Sequence, residues 1–333
     1  MQKGKSSSHS RLGSLQRVFQ HGDRPWQGLI IVISALVIVL MLAIGGMLWA
    51  KSAGARTTFG WSFLVPTANP NWDPVNDHFQ AWPFLYGTLL TSMFAIIFAL
   101  PIGLGIAIFL AELCPAWLRT PLTWMVELLA AIPSVVYGLW GIFVFLPKVV
   151  APVGVFLGDT LGRVPLIGSL FAGPIPASGA SRLAASLILT IMIIPTIAAV
   201  TRDVFLAIPV SQREASKALG ATEWETIWQV LIPYGKSGIL GAVILGLGRA
   251  LGETMAVTMV IGNSIQGGVS LLEPGYSMAS IIANEFAEAV SQLHTDALVE
   301  IGLVLFIVTL LLNILARFLV WQVARQTPQE ARV

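Results

Sequence analysis

The segment from Ala207 to Pro233 reads AIPVSQREASKALGATEWETIWQVLIP, and it separates two long apolar stretches. Its polar residues stand where helix boundaries need them. Ser211 and Glu214 have the Ser-x-x-Glu spacing of a capping box, and Thr222 and Glu225 form a second one with Thr at its head. Gly220 stands where the first helix would end in a left-handed residue. Pro233 would stop the second helix. The segment therefore reads as two short helices joined at a Gly hinge. Ala215, Ser216 and Ala218 give the first helix a small-sided surface suited to insertion into a groove. At about 30 residues, the connection is long for a mere link.

On either side lie the apolar stretches 183–200 and 238–261, and four more occur at 29–48, 85–110, 122–146 and 301–320. Each approaches the roughly 20 helical residues that cross a hydrocarbon core of about 30 Å. The stretch 183–200 is the weakest, being short and interrupted by Pro195, while Pro101 lies in the second stretch. Composition agrees with this pattern. Of 333 residues, 56% are hydrophobic and 11% charged, with a mean hydropathy of +0.80. A soluble domain has about a quarter of its residues charged. So little charge cannot cover a water-facing surface, which makes the lipid bilayer the principal solvent and six-span, all-α the expected class. The net charge of +2 gives no reason to expect nucleic acid. The single cysteine, Cys114, cannot form an internal disulfide, and no Cys/His metal spacing is present.

Lys and Arg set the orientation. With the N-terminus inside, segments 1–25, 112–121, 202–236 and 316–333 carry 13 basic residues and the outside segments carry 5. Both termini are therefore expected in the cytoplasm. Residues 1–25 hold Lys3, Lys5, Arg11, Arg17 and Arg24, a basic region too long for a cleaved signal peptide. The expected organisation is a disordered tail (1–25), a first span (26–50), an external loop (51–80), a core of five spans (81–323) containing the cytoplasmic loop 202–236, and a second tail (324–333).

The first external loop carries Trp61, Pro66, Pro70, Trp72 and Pro74, with Trp82 just beyond. Two readings stand open: an aromatic belt at headgroup level, or a docking surface for an external binding protein. In the last external segment Ile281, Ile282, Phe286 and Ala289 recur at helical spacing, which predicts a short helix over 278–289 on the outer face.

The fifth stretch carries charge. Arg249 lies 13 residues after Lys236, about 20 Å along a helix and close to mid-membrane. Glu253 is expected one turn later on the same face. Gly241, Gly246, Gly248 and Gly252 would let neighbouring helices approach closely. An intramembrane pair of this kind either fixes helix packing or lines a path. A guanidinium binds phosphate bidentately, and an adjacent carboxylate would weaken its grip enough for release. In the third stretch Ile132-Pro133-Ser134 predicts a break near Tyr137 and Gly138. The Ser134 and Tyr137 hydroxyls and the freed carbonyls either line a path or mark a simple kink. Glu127, two turns earlier, reads as an interfacial charge.

Gly235-Lys236-Ser237 resembles the end of a P-loop, but Val230 stands where the first Gly is required. ATP binding is therefore assigned to another subunit. His294 is expected on the surface, and no nucleophile–base set is present.

The run Glu214-Ala215-Ser216, three residues, Gly220, nine residues, Val230-Leu231-Ile232-Pro233 resembles the EAA loop of ABC importer permeases. It departs only by Ser for the third residue, Val for Ile and Ile for Leu. The resemblance implies a type I permease fold whose coupling helix docks on an ATPase through Glu214, Ala215, Ser216, Ala218, Leu219 and Gly220. Three further runs resemble phosphate permeases of the PstC type. They are Gly248-Arg-Ala-Leu-Gly-Glu-Thr-Met-Ala-Val257 with Ile261-Gly-Asn263, Ala131-Ile-Pro-Ser-Val-Val-Tyr-Gly-Leu-Trp-Gly141, and Phe59-Gly-Trp-Ser-Phe-Leu64. The similarity runs from about residue 59 to 320. It implies a non-catalytic inner-membrane subunit with a PstA-type sister, two PstB-type ATPases that bind the ATP and Mg²⁺, and a PstS-type binding protein. It also implies phosphate passage past Arg249 and Glu253. A gradient-driven oxyanion transporter is the competing reading, since Arg249 and Glu253 suit a proton-linked pair as well.

Overall fold

A computed structural model describes residues 23–65, 72–165, 167–265 and 268–326. Most of both expected tails, and Pro66 and Pro70, lie outside the described residues. By its contacts the chain divides after Lys51. The first unit is described over α1 (Asp23–Lys51), an apolar helix of 29 residues. No described residue forms a β-strand, and isolated bridges are the only extended pairings among them. Six of the described helical segments are long and apolar enough to cross a membrane: Trp26–Lys51, Trp82–Leu113, Ser134–Arg163, Arg182–Leu206, Glu223–Gly252 and Gln292–Gln322.

In the second unit, α2 (Ala53–Phe59) precedes α3 (Trp82–Ile108), the second span. Next comes α4 (Ala116–Ala131), followed by α5 (Ser134–Trp140), a π-helical stretch over Gly141–Val150 and α6 (Ala151–Thr160). The third span therefore begins at Ser134, some twelve residues later than the sequence predicts, and α4 is a separate helix. Pro133 is the reason. It forces Ile132 out of the α region (ψ 128°), and the chain restarts as a new helix.

The fourth span, α7 (Arg182–Leu206), is the weakest by sequence and the most buried in space. Ile188, Leu189, Met192, Ile193, Ile197 and Ala198 are all inaccessible to solvent or nearly so. It also carries Arg182, Ser186, Thr190 and Thr201, which are buried as well. The Ser186 hydroxyl donates to the Arg182 carbonyl and the Thr190 hydroxyl to the Ser186 carbonyl, so burial leaves these two satisfied. A helix enclosed by protein can hold polar groups that lipid would exclude.

The loop between the fourth and fifth spans contains α8 (Val210–Ala218) and α9 (Glu223–Thr226). A π turn, Ile227–Leu231, carries α9 into α10 (Ile232–Gly252), the fifth span. Pro233 does not stop a helix, contrary to expectation. It sits in the first turn of α10, directly after the π turn, whose wider winding accommodates the ring. The span then breaks again before α11 (Met255–Val260).

Between the fifth and sixth spans, α12 (Met278–Glu285) starts on a Ser277/Ser280 capping box and ends four residues short of the expected limit. Its Met278 and Ile281 are buried, while Phe286, beyond its end, is exposed. The long α13 (Gln292–Gln326) follows. The expected external loop is part of the compact unit. Trp72 is buried against Phe79 and Phe84, and its indole donates to Glu285 Oε2 at 2.7 Å. Burial of each such ring contributes about 1.5–3 kcal/mol. Trp72 thus belongs to neither open reading, whereas Trp61 is exposed. His294, expected on the surface, is buried, bonded through Nε2 to Glu285 Oε2 at 3.0 Å and stacked on Phe79. The first turn of α13 turns it inward.

Candidate translocation and coupling sites

The break that precedes the third span and the break that follows the fifth lie together. α5 packs on α11 at Gly138, where a Cβ would come within 2.5 Å of the Met259 sulfur. Only a residue without a side chain permits this approach. The end of α4 leaves carbonyls without helical partners. The Tyr137 hydroxyl takes that of Leu129 at 2.8 Å, and Arg249 Nη2 takes that of Ala130 at 3.4 Å. Ser134 opens α5 beside them and is half-buried.

Arg249 occupies the last turn of α10, half-buried. Glu253 does not follow one turn later on the same helix face. The helix ends at Gly252 and Glu253 is extended (φ −71°, ψ 121°). Its Oε1 accepts the backbone N–H of Ala256 at 3.2 Å, so the carboxylate caps the short helix α11. Among the described residues Arg249 and Glu253 form no ion pair. The guanidinium commits one long hydrogen bond, leaving most of its five N–H donors for another acceptor. Of the four glycines expected to admit neighbours, Gly246 meets Ile197 and Ile193 of α7, while Gly241, Gly248 and Gly252 face open space.

The site in the loop between the fourth and fifth spans is built by its caps. Thr222 Oγ1 accepts from the Glu225 N–H at 3.2 Å and the Thr222 N–H donates to Glu225 Oε2 at 2.8 Å, completing the expected box. The first expected box does not form. Pro209 occupies the N-cap of α8, which places Ser211 inside the first turn. Gly220 has φ +90°. The Ala221 N–H reaches the Ser216 carbonyl and the Gly220 N–H reaches that of Lys217, which together form a Schellman motif. Glu214, Ala215, Ala218, Leu219 and Gly220 are exposed, and Ser216 is half-buried against Thr226 through a hydroxyl contact of 3.1 Å. Leu219 has 90% of its surface exposed, and Trp224 and Trp228 further along the chain are exposed too.

Sequence reading missed the group that anchors this loop. Arg213 Nε and Nη2 lie 3.1 and 2.9 Å from Glu112 Oε1, at the end of the second span. An Arg beside the loop's Glu was visible in the chain, but its partner stands 101 residues away. Glu127 pairs with Arg202 at 3.7 Å.

Residues 103–327 match the family described as binding-protein-dependent transport system inner membrane component. The chain is 44% identical over 294 residues to the phosphate transport system permease protein PstC of Xylella fastidiosa, covering 88% of this chain and 89% of that one. It is 46% identical to the protein of the same name from Haemophilus influenzae, covering 87% and 90%. Mycobacterium tuberculosis PstC 2 is 38% identical, covering 90% and 92%. Among solved structures, a bacterial alginate ABC transporter superposes with a TM-score of 0.59 at 14% identity, covering 90% of this chain and 96% of that one. The MetNI methionine ABC transporter superposes with a TM-score of 0.51 at 20% identity, covering 72% and 93%. These two share the fold. The expected six-span importer-permease architecture is thus present, and this multi-pass chain belongs to the family of binding-protein-dependent transport system inner membrane components, on the branch whose relatives are named PstC.

Proposed function

We propose that this chain is one of two permease subunits of an ATP-driven importer that carries inorganic phosphate from an external binding protein to the cytoplasm. The observation that carries the reading is Arg249. It is a half-buried guanidinium at paired span breaks, with most of its donors uncommitted, in a chain 44% identical to a phosphate permease. A guanidinium fork suits a tetrahedral oxyanion. Tyr137 and Ser134 border the same breaks, and Glu253 supplies a nearby carboxylate that disfavours a retained anion.

On this reading the exposed face from Glu214 to Gly220 docks on one of two PstB-type ATPases, which bind ATP and Mg²⁺. A PstA-type permease forms the other half of the path, and a PstS-type protein delivers phosphate from outside. Both termini lie in the cytoplasm, and this chain performs no covalent chemistry. The test is to purify the tagged chain from membranes, identify what accompanies it, and reconstitute the assembly in vesicles. Co-purification of an ATPase and a second permease, with ATP-dependent phosphate uptake, is expected. A chain that purifies alone and imports phosphate on a pH gradient would overturn the proposal in favour of a secondary transporter.

A further inference from the structure

We infer that Arg213 is the positioning residue that carries movement of the coupling helix to the second span, through Glu112. The inference rests on the ATP-driven reading above. Chain connectivity already joins α8 to two spans. Ala207–Pro209 lead directly from α7, and α9 continues through the π turn into α10. The second span has no such link. Among the described residues its polar side-chain tie to α8 is Glu112, in the π turn Phe109–Leu113 that ends the span.

The guanidinium does more than pair with one carboxylate. Nη1 donates to the Ile208 carbonyl and Nη2 to that of Phe205, each at 2.6 Å. These carbonyls lie at the C-terminal end of α7, where helical partners run out and a cation is favoured. One side chain of α8 therefore holds the ends of α3 and α7 in a fixed relation. Exposed ion pairs contribute little, but the Arg213 and Glu112 side chains are only 14% and 19% exposed. Beneath them Ala107, Ala111, Phe205, Ile208 and Leu231 form a small buried cluster of their own. Apolar contact is non-directional and permits sliding. The planar fork fixes register. Other polar side-chain contacts of α8 stay within the loop, from Ser216 to Thr226 and from Lys217 to Glu223.

Motion delivered to α3 and α7 together has a route inward. Gly103 of α3 lies against Ile197 of α7, and Ile197 also faces Gly246, one turn from Arg249 on α10. Arg213 thus stands between the ATPase-facing surface and the helix that carries the central guanidinium, without facing the ATPase itself.

The test uses the complete transporter in vesicles, with Glu112→Ala, Glu112→Gln, Arg213→Lys and Arg213→Gln. Three quantities are read: ATPase co-purification, ATP hydrolysis, and phosphate imported per ATP hydrolysed. Glu112→Ala and Arg213→Gln are expected to retain the ATPase and hydrolyse ATP while phosphate per ATP falls about tenfold. Glu112→Gln, which keeps an acceptor oxygen, and Arg213→Lys, which keeps the charge, should recover part of the loss. Unchanged phosphate per ATP in Glu112→Ala would overturn the inference. So would a loss of uptake that merely follows loss of assembled complex, because that marks a structural role alone. If Arg213→Gln does not assemble, Glu112→Ala, which spares the α7 carbonyl contacts, decides. A wild-type assembly that imports without ATP would instead defeat the functional proposal.

Discussion

Arg249 Nη2 donates to the Ala130 carbonyl at 3.4 Å, joining the last turn of α10 to the last turn of α4 across two helix breaks. The bond is long, so the guanidinium is held in place while its remaining donors stay uncommitted. That combination suits a site that binds an anion briefly.

Arg249→Gln is expected to abolish most ATP-driven phosphate uptake. Charge-assisted hydrogen bonds are worth about 1.5–3 kcal/mol, or roughly ten- to a hundredfold in uptake at limiting phosphate. Arg249→Lys should retain part, since it keeps charge but not the planar fork. Radiolabelled uptake into vesicles measures both, and full uptake by Arg249→Gln would remove this residue from the path.

Glu253 has a separable structural duty. Glu253→Gln keeps an oxygen to accept the Ala256 N–H, so thermal stability should hold. Glu253→Ala should cost about 1 kcal/mol through loss of the α11 cap. Glu253→Gln is also expected to slow phosphate release and lower turnover. Uptake equal to wild type would confine Glu253 to capping.

The packing of α5 on α11 depends on Gly138. Gly138→Val drives a branched side chain into Met259 and should destabilise by about 1–3 kcal/mol. Met259→Ala, combined with it, should restore part of the loss by opening space. A denaturation series in detergent compares the three variants, and additive losses would argue against this contact.

Gly220 has φ +90°, and a Cβ at this position would have no neighbour within 4 Å, so substitution there meets backbone strain and no steric clash. Gly220→Ala should therefore disturb the Schellman turn by about 1–2 kcal/mol. Gly220→Asn should be better tolerated. Reduced ATPase co-purification with Gly220→Ala, partly recovered by Gly220→Asn, is the expected pattern.

Glu214 is exposed on α8 and makes no contribution to the core. Glu214→Lys should leave the chain as stable as wild type while lowering ATPase co-purification and uptake. Unaltered association would place the docking surface elsewhere.

The membrane class and the number of spans are legible in the amino-acid order alone, because hydropathy and span length depend on local composition. So are the Thr222 cap and the Gly220 turn, whose hydrogen bonds close within a few residues. Whatever depends on distant partners was settled only by folding. Arg249 and Glu253 read as neighbours on one helix until the break after Gly252 parted them and gave each a new partner. His294 and Trp72 became core residues only when Glu285 met both. The weakest apolar stretch became the central helix because protein, not lipid, surrounds its polar side chains. Arg213 found Glu112 across 101 residues, a pairing that no local spacing encodes. Local hydrogen bonds and hydropathy act along the chain, whereas burial and ion pairing act across it.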